Sequence, residues 1–244
     1  MAAHIRKLNT SRAFRREMGE FVCDGPKLLE EALRWGGRIT TVLYEAGREL
    51  PAGLPDELRV VQAPADLLRS LSTTQTPQGL LFLCRMPRTD LPERLEGSRY
   101  LVLDGVQDPG NVGTVLRTAD AFGADGLILL PGCADPFSPK TVRASMGACF
   151  RLPVWETGRQ ELVAAAAGAG LPLYGAALGE NTGDVRDVDL RRCAVVIGSE
   201  GRGISSETLE LCTGTIRIPM RERCESLNAA VAAAVILWEG WRTT

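Results

Sequence analysis

The sequence predicts an α/β protein in two parts: a small α/β region over residues 1–95 and a larger region over 96–244 built on a parallel sheet. Three observations predict it. Strand-like apolar runs alternate with helix-like patterns along the chain. LVLDGV at 101–106 and AVVIG at 194–198 are nearly continuous apolar runs, as strands covered on both faces require. Between the parts, MPRTDLPERLEGS at 86–98 holds two prolines, a glycine and several charges, the composition of a linker.

In order, FVCDG at 21–25 reads as a short strand and PKLLEEALRWGGR as a helix with Pro26 at its start. ITTVLYEA is a strand, 64–72 a short helix and GLLFLC at 79–84 a strand. Beyond the linker, strands are expected at 100–106, 126–130, 171–176, 193–198 and 215–219. Helices are expected at 112–122, about 139–148, 159–168, 205–212 and 226–241. The helix at 112–122 carries an apolar stripe of Val112, Val115, Leu116, Ala119 and Phe122. VAAAAGAG at 163–170 fits a helix and its glycine stop. AAVAAAVILW at 229–238, the longest apolar run, is too short to cross a bilayer.

Composition excludes several chemistries. At 45% hydrophobic and 24% charged, the 244 residues support a sizeable core. A net charge of −2 excludes a whole-chain basic field. Residues 1–16 are locally basic, with Arg6, Lys7, Arg12, Arg15 and Arg16 and no carboxylate. They read as a frayed end, a phosphate-contacting arm, a transit peptide or helices of the folded domain. The seven cysteines form no CxxC pair and read as core residues of a cytoplasmic protein. His4 is the only histidine, which disfavours a histidine-based triad or metal site, and no metal is expected.

Three expected strands end in unusual loops, where open parallel sheets bind ligands. In DPGNVGTVLRTADAFG at 108–123, Asn111 is placed to cap the helix, and Arg117 lies off its apolar stripe. Arg117 reads either as a ligand-facing cation or as a surface partner of Asp120. GSEGRGIS at 198–205 has the order GxxGxG, which is not the dinucleotide fingerprint, and a P-loop is absent; a Rossmann oxidoreductase is thereby disfavoured. Its Glu200 is either a solvated carboxylate or a ligand group. In IRIPMRERCESLNAAVAAAVILWE at 216–239, Ser226 opens the final helix and Asn228 lies in its first turn. The alanines that follow make a thin helix suited to close packing or to a subunit interface.

Together these segments resemble the SpoU (TrmH) family of RNA 2′-O-ribose methyltransferases, within the SPOUT superfamily. The resemblance covers LVLDGVQDPGNVGTVLRTADAFGADGLILL, VVIGSEGRGIS and the 216–239 segment, in the family's order. More loosely, FVCDGPKLLEEAL and TTQTPQGLLFL are similar to a ribosomal-protein-like RNA-binding domain. The resemblance implies a parallel sheet closed by a deep trefoil knot, an exception to the usual avoidance of knots. It implies S-adenosyl-L-methionine held at Gly198, Ile218 and Leu227, and a homodimer. It implies Arg117 as the central catalytic residue, with Asn111, Glu200, Ser226 and Asn228 around it. The substrate is expected to be rRNA first and tRNA second; a non-catalytic RNA-binding protein of the same fold is the alternative. One departure is Glu222, where relatives often carry a small residue. A guanidinium keeps its proton up to a pKa above about 12. Arg117 is therefore read as a ligand of an RNA phosphate and of the developing alkoxide rather than as the base. Glu200 either orients Arg117 or takes the proton.

Overall fold

The computed structural model describes residues 1–244 except Ala52, Glu180, Asn181, Glu222, Cys224, Glu225, Thr243 and Thr244, and only the backbone of Trp241. The departure at Glu222 and the thiol of Cys224 thus lie outside the described residues. In chain order the elements are α1 (Ala2–Thr10), α2 (Arg12–Met18), β1 (Glu20–Asp24), α3 (Pro26–Arg34), β2 (Ile39–Glu45), β3 (Arg59–Ala63), α4 (Ala65–Leu71) and β4 (Leu80–Arg85). Then follow β5 (Arg99–Asp104), α5 (Pro109–Ala121), β6 (Gly126–Leu129), α6 (Pro139–Ser145), a 3-10 turn at Ala148–Phe150, β7 (Val154–Glu156), α7 (Arg159–Gly168) and β8 (Leu173–Ala176). The chain continues through β9 (Gly183–Asp184), β10 (Cys193–Gly198), α8 (Ser206–Leu209), β11 (Gly214–Arg217) and α9 (Ala229–Arg242).

The chain forms two compact units. One comprises Met1–Pro87 together with Asp135–Arg151, the other Arg88–Ala134 and Leu152–Thr244. The first is a four-stranded sheet of order β1-β4-β2-β3, in which only β2 and β3 run parallel. Its N-terminus is not a frayed end. Ser11 caps α2 by accepting from the Phe14 N–H at 3.2 Å, and Gly19 stops it at φ 61°. Ile5 and Leu8, one turn apart, are fully buried against Leu68, Leu71, Leu81 and Leu83. Arg15, read as part of a basic arm, is 4% exposed and ion-paired with Asp135 at 2.5 Å. Burial of that charge is tolerable because it is paired. The helix expected at 139–148 is α6, ending at Ser145; it packs on β1 in this first unit, and Phe137 lies 5.1 Å from Phe21. Strand β3 was not expected: Arg59, Val60 and Gln62 are exposed on a sheet edge, so it lacks an apolar run.

The second unit holds a wholly parallel seven-stranded sheet of order β7-β6-β5-β10-β8-β11-β9. The two apolar runs from which a parallel sheet was expected, β5 and β10, are neighbours near its centre, with Val102 opposite Val196. Val102, Ile128 and Val196 are completely buried in the core. The short strands β7 and β9, at the two edges, were not expected; they have only three and two residues. Because β5, β10 and β11 run in one direction, their carboxyl ends present the three unusual loops at one edge of the sheet.

Candidate active site

At the first loop, Asp108 and not Asn111 caps the helix. Its carboxylate accepts from the Asn111 N–H at 2.9 Å, and Pro109 occupies the first turn, where a missing N–H costs nothing. The helix therefore begins three residues earlier than expected, and the Asn111 side chain is freed from capping. Its Nδ2 donates to Glu200 Oε1 in the second loop, and its Oδ1 accepts from Asn228 Nδ2 at 3.1 Å in the third. Asn228, not Ser226, caps α9: its Oδ1 accepts from the N–H of Ala230 at 2.9 Å and of Val231 at 3.3 Å. One amide chain, Glu200–Asn111–Asn228, thus ties all three loops together and leaves no freedom in how the Asn111 amide points. Among the described residues, Asn111 is the one hydrogen-bond partner of the Glu200 carboxylate.

The second loop owes its shape to glycine. Ser199 and Gly203 exchange backbone hydrogen bonds at 3.0 and 2.9 Å across a tight turn, with Gly203 at φ 67°. A Cβ at Gly198 would stand 2.0 Å from the Gly203 carbonyl carbon. Gly198 is therefore required by the loop folding on itself. A buried carboxylate pins the far end of this loop. Asp104, 4% exposed at the end of β5, accepts from the Ser205 N–H at 2.9 Å and the Ser205 hydroxyl at 2.7 Å. Arg159 stands 3.6 Å from Asp104 and donates to Thr208 Oγ1 at 2.8 Å. Sequence reading missed Asp104 and Arg159; a lone polar residue inside the LVLDGV strand was the available signal.

The second and third loops line an open cleft of about 490 Å³, within the range that takes a small molecule. Gly198, Glu200, Ile218, Ser226 and Leu227 all line it, with Ile197, Ile204 and Met220 as apolar walls. Asn111 and Asn228 join it through Glu200. Arg117 is exposed on α5, and among the described residues it makes no hydrogen bond or ion pair, with Asp120 or with Glu200. The surface pair with Asp120 is thus not formed, and Glu200 holds Asn111 rather than Arg117. Cysteine nucleophiles are disfavoured: burial pushes the thiols of Cys149 and Cys193 up to about 12 and that of Cys212 up to about 11.

Residues 98–238 match the model of the SpoU rRNA Methylase family, and residues 3–81 match an MRM3-like substrate binding domain. The 23S rRNA (guanosine(2553)-2′-O)-methyltransferase RlmP of Bacillus subtilis (strain 168) is 34% identical over 235 residues, covering 96% of this chain and 92% of the relative. The 23S rRNA (uridine(2479)-2′-O)-methyltransferase of Streptomyces viridochromogenes is 35% identical, covering 95% of this chain and 86% of the relative. The crystal structure of the SpoU methyltransferase AviRb from Streptomyces viridochromogenes, in complex with AdoMet, superposes with a TM-score of 0.88 at 33% identity, covering 99% of this chain and 97% of that one. With its three loops joined through Asn111 and its catalytic half matched from end to end, the chain belongs to the SpoU rRNA methylase family.

Proposed function

We propose that the protein is an S-adenosyl-L-methionine-dependent enzyme that methylates a ribose 2′-hydroxyl in ribosomal RNA. The observation that carries this reading is the Glu200–Asn111–Asn228 chain on a cleft walled by the second and third loops. The two relatives' named activities and the cofactor-bound neighbour support it. The cleft fits the cofactor: it joins apolar walls to backbone-rich loops at Gly198, Ile218 and Leu227. When bound, the sulfonium supplies an electrophilic methyl group that needs no metal.

The chain's own residues then have two tasks. Alignment of the hydroxyl with the donor is the larger, worth up to about 7–11 kcal/mol. The locked Asn111 amide, with Asn228 bonded to it and Ser226 on the cleft wall, positions the ribose. Removal of the hydroxyl proton is worth about 10²–10⁴-fold. We assign it to Glu200, and the reading is supported by one carboxylate oxygen being held by Asn111 while the other has no partner among the described residues. Arg117, exposed and without a partner among the described residues, binds the neighbouring phosphate through its planar fork and stabilises the developing alkoxide. We take the acting form to be a homodimer in the cytoplasm, with the first unit gripping the RNA. tRNA is the second-choice substrate.

The test is transfer of tritium from labelled S-adenosyl-L-methionine to rRNA from cells lacking the gene, with 2′-O-methyl sites mapped in parallel. Glu200→Gln should lower turnover at least ~100-fold, with the melting temperature nearly unchanged. Wild-type protein that binds the cofactor but labels neither rRNA nor tRNA would leave only the non-catalytic alternative.

A further inference from the structure

In the first unit, an exposed aromatic ring sits among cations. Trp35 ends α3, its N–H held by the Glu31 carbonyl at 3.0 Å, and 49% of its surface is open to solvent. The guanidinium carbons of Arg34 and Arg151 each lie 5.7 Å from its ring centroid, within cation–π range. The chain then turns through Gly36 into Arg38, whose carbonyl accepts from the Arg85 N–H at 2.8 Å. This hydrogen bond joins the start of β2 to the end of β4. Arg34, Arg38 and Arg85 therefore belong to one end of the sheet and the helix that feeds it, and Arg151 reaches the ring from the turn after Phe150.

The carboxylates there are already engaged. Glu31 pairs with Arg151, and Glu20 with His4 at 3.0 Å and Arg85 at 3.6 Å. Arg34 and Arg38 are exposed and make no ion pair among the described residues. What sets Trp35 apart is the cations beside its exposed ring, which favour a polyanion with flat apolar faces.

We propose that this sheet end is a stacking site for unpaired RNA bases, with Trp35 as the platform and Arg34 and Arg38 as phosphate contacts. Base–aromatic stacking tolerates any base, while guanidiniums follow the backbone. The proposal rests on the RNA-modifying reading above, and it gives the first unit a defined contact. Residues 34, 35 and 38 all fall within the part matched to a substrate binding domain.

The full chain can be tested with a single-stranded oligouridylate and a fully paired RNA duplex. Trp35→Ala should weaken oligouridylate binding by about 5- to 100-fold, with Trp35→Phe close to wild type. The duplex should bind weakly, with little change between variants. Arg38→Gln should lower the slope of log affinity against log salt by about 0.7, the value for one phosphate contact on a single strand. Cofactor affinity by calorimetry and the melting temperature should not move. Equal oligouridylate affinity for wild type, Trp35→Ala and Arg38→Gln would overturn the proposal. So would a Trp35→Ala change in oligomeric mass with RNA affinity intact, which would assign the ring to a protein contact. Tritium transfer by the wild type is scored separately. Transfer without a Trp35 effect sinks this site alone; a Trp35 effect without transfer sinks the enzymatic reading alone.

Discussion

Arg117 and Asn111 lie on the same helix yet have opposite surroundings. Asn111 is held at both ends of its amide, whereas Arg117 is exposed and makes no side-chain bond among the described residues. A residue with no structural partner is cheap to replace in folding terms, so its loss should be visible in chemistry alone. Arg117→Ala should reduce methyl transfer by at least ~100-fold while cofactor binding and the melting temperature stay at wild-type values. Arg117→Lys keeps the charge and loses the planar fork. Activity near the alanine level would mark bidentate geometry as the need, and substantial recovery would mark charge. Near-normal transfer by Arg117→Ala would remove this residue from the mechanism. The exposure of Arg117 was legible in the sequence because it lies off the apolar stripe of its helix. The bond between Asn111 and Glu200 was not, since 89 residues separate them.

At the scale of elements, the second loop is a device with two anchors. Gly198 and Gly203 let it close on itself, and Asp104 holds its far end through Ser205. Both hydrogen bonds end on the same buried carboxylate oxygen, an acceptor of the stronger kind. Asp104→Asn replaces that oxygen with a weaker acceptor and leaves Arg159 facing a neutral amide. S-adenosyl-L-methionine affinity should fall about 10- to 150-fold, for a lost charge-assisted bond worth roughly 1.5–3 kcal/mol. The affinity for oligouridylate should not change. Calorimetry that finds wild-type cofactor affinity in a folded Asp104→Asn protein would show that the loop keeps its shape without this anchor. The glycines were legible, but their part in closing the loop on itself was not. A GxxGxG string cannot reveal whether the atom approaching Gly198 belongs to a ligand or to Gly203.

At the scale of the molecule, the chain does not divide at a single point. Asp135–Arg151 leaves the parallel sheet after β6, joins the first unit and returns for β7. Phe137, Thr141, Val142 and Ser145 are buried there; Asp135 pairs with Arg15 and Arg151 with Glu31. Removing residues 1–87 would therefore strip an apolar face and leave the nearly buried Asp135 carboxylate without Arg15, and a buried charge left unpaired costs about 3–5 kcal/mol. The 88–244 fragment should unfold at a lower temperature than the full chain and tend to aggregate, as judged by thermal unfolding and light scattering. Cooperative unfolding of a soluble fragment at the full-length temperature would show that the 135–151 segment stands without its cover.

The sequence by itself determined the fold class, the order of most elements and the three loops at the strand ends. Each of these depends on residues close together in the chain: an apolar run, a helical stripe, a turn of Pro, Gly and Asn. The placement of α6, the edge strands β3, β7 and β9, and the burial of Arg15 depended on tertiary structure. So did which residue caps each helix at the site, Asp108 in place of Asn111 and Asn228 in place of Ser226. Polar residues close together can each cap a helix start, one at a different register from the next, and local propensity barely separates them. The choice falls to the partners that folding brings across the sheet, and here Glu200 and Asn228 claim the amide that Asn111 would otherwise spend on its own helix.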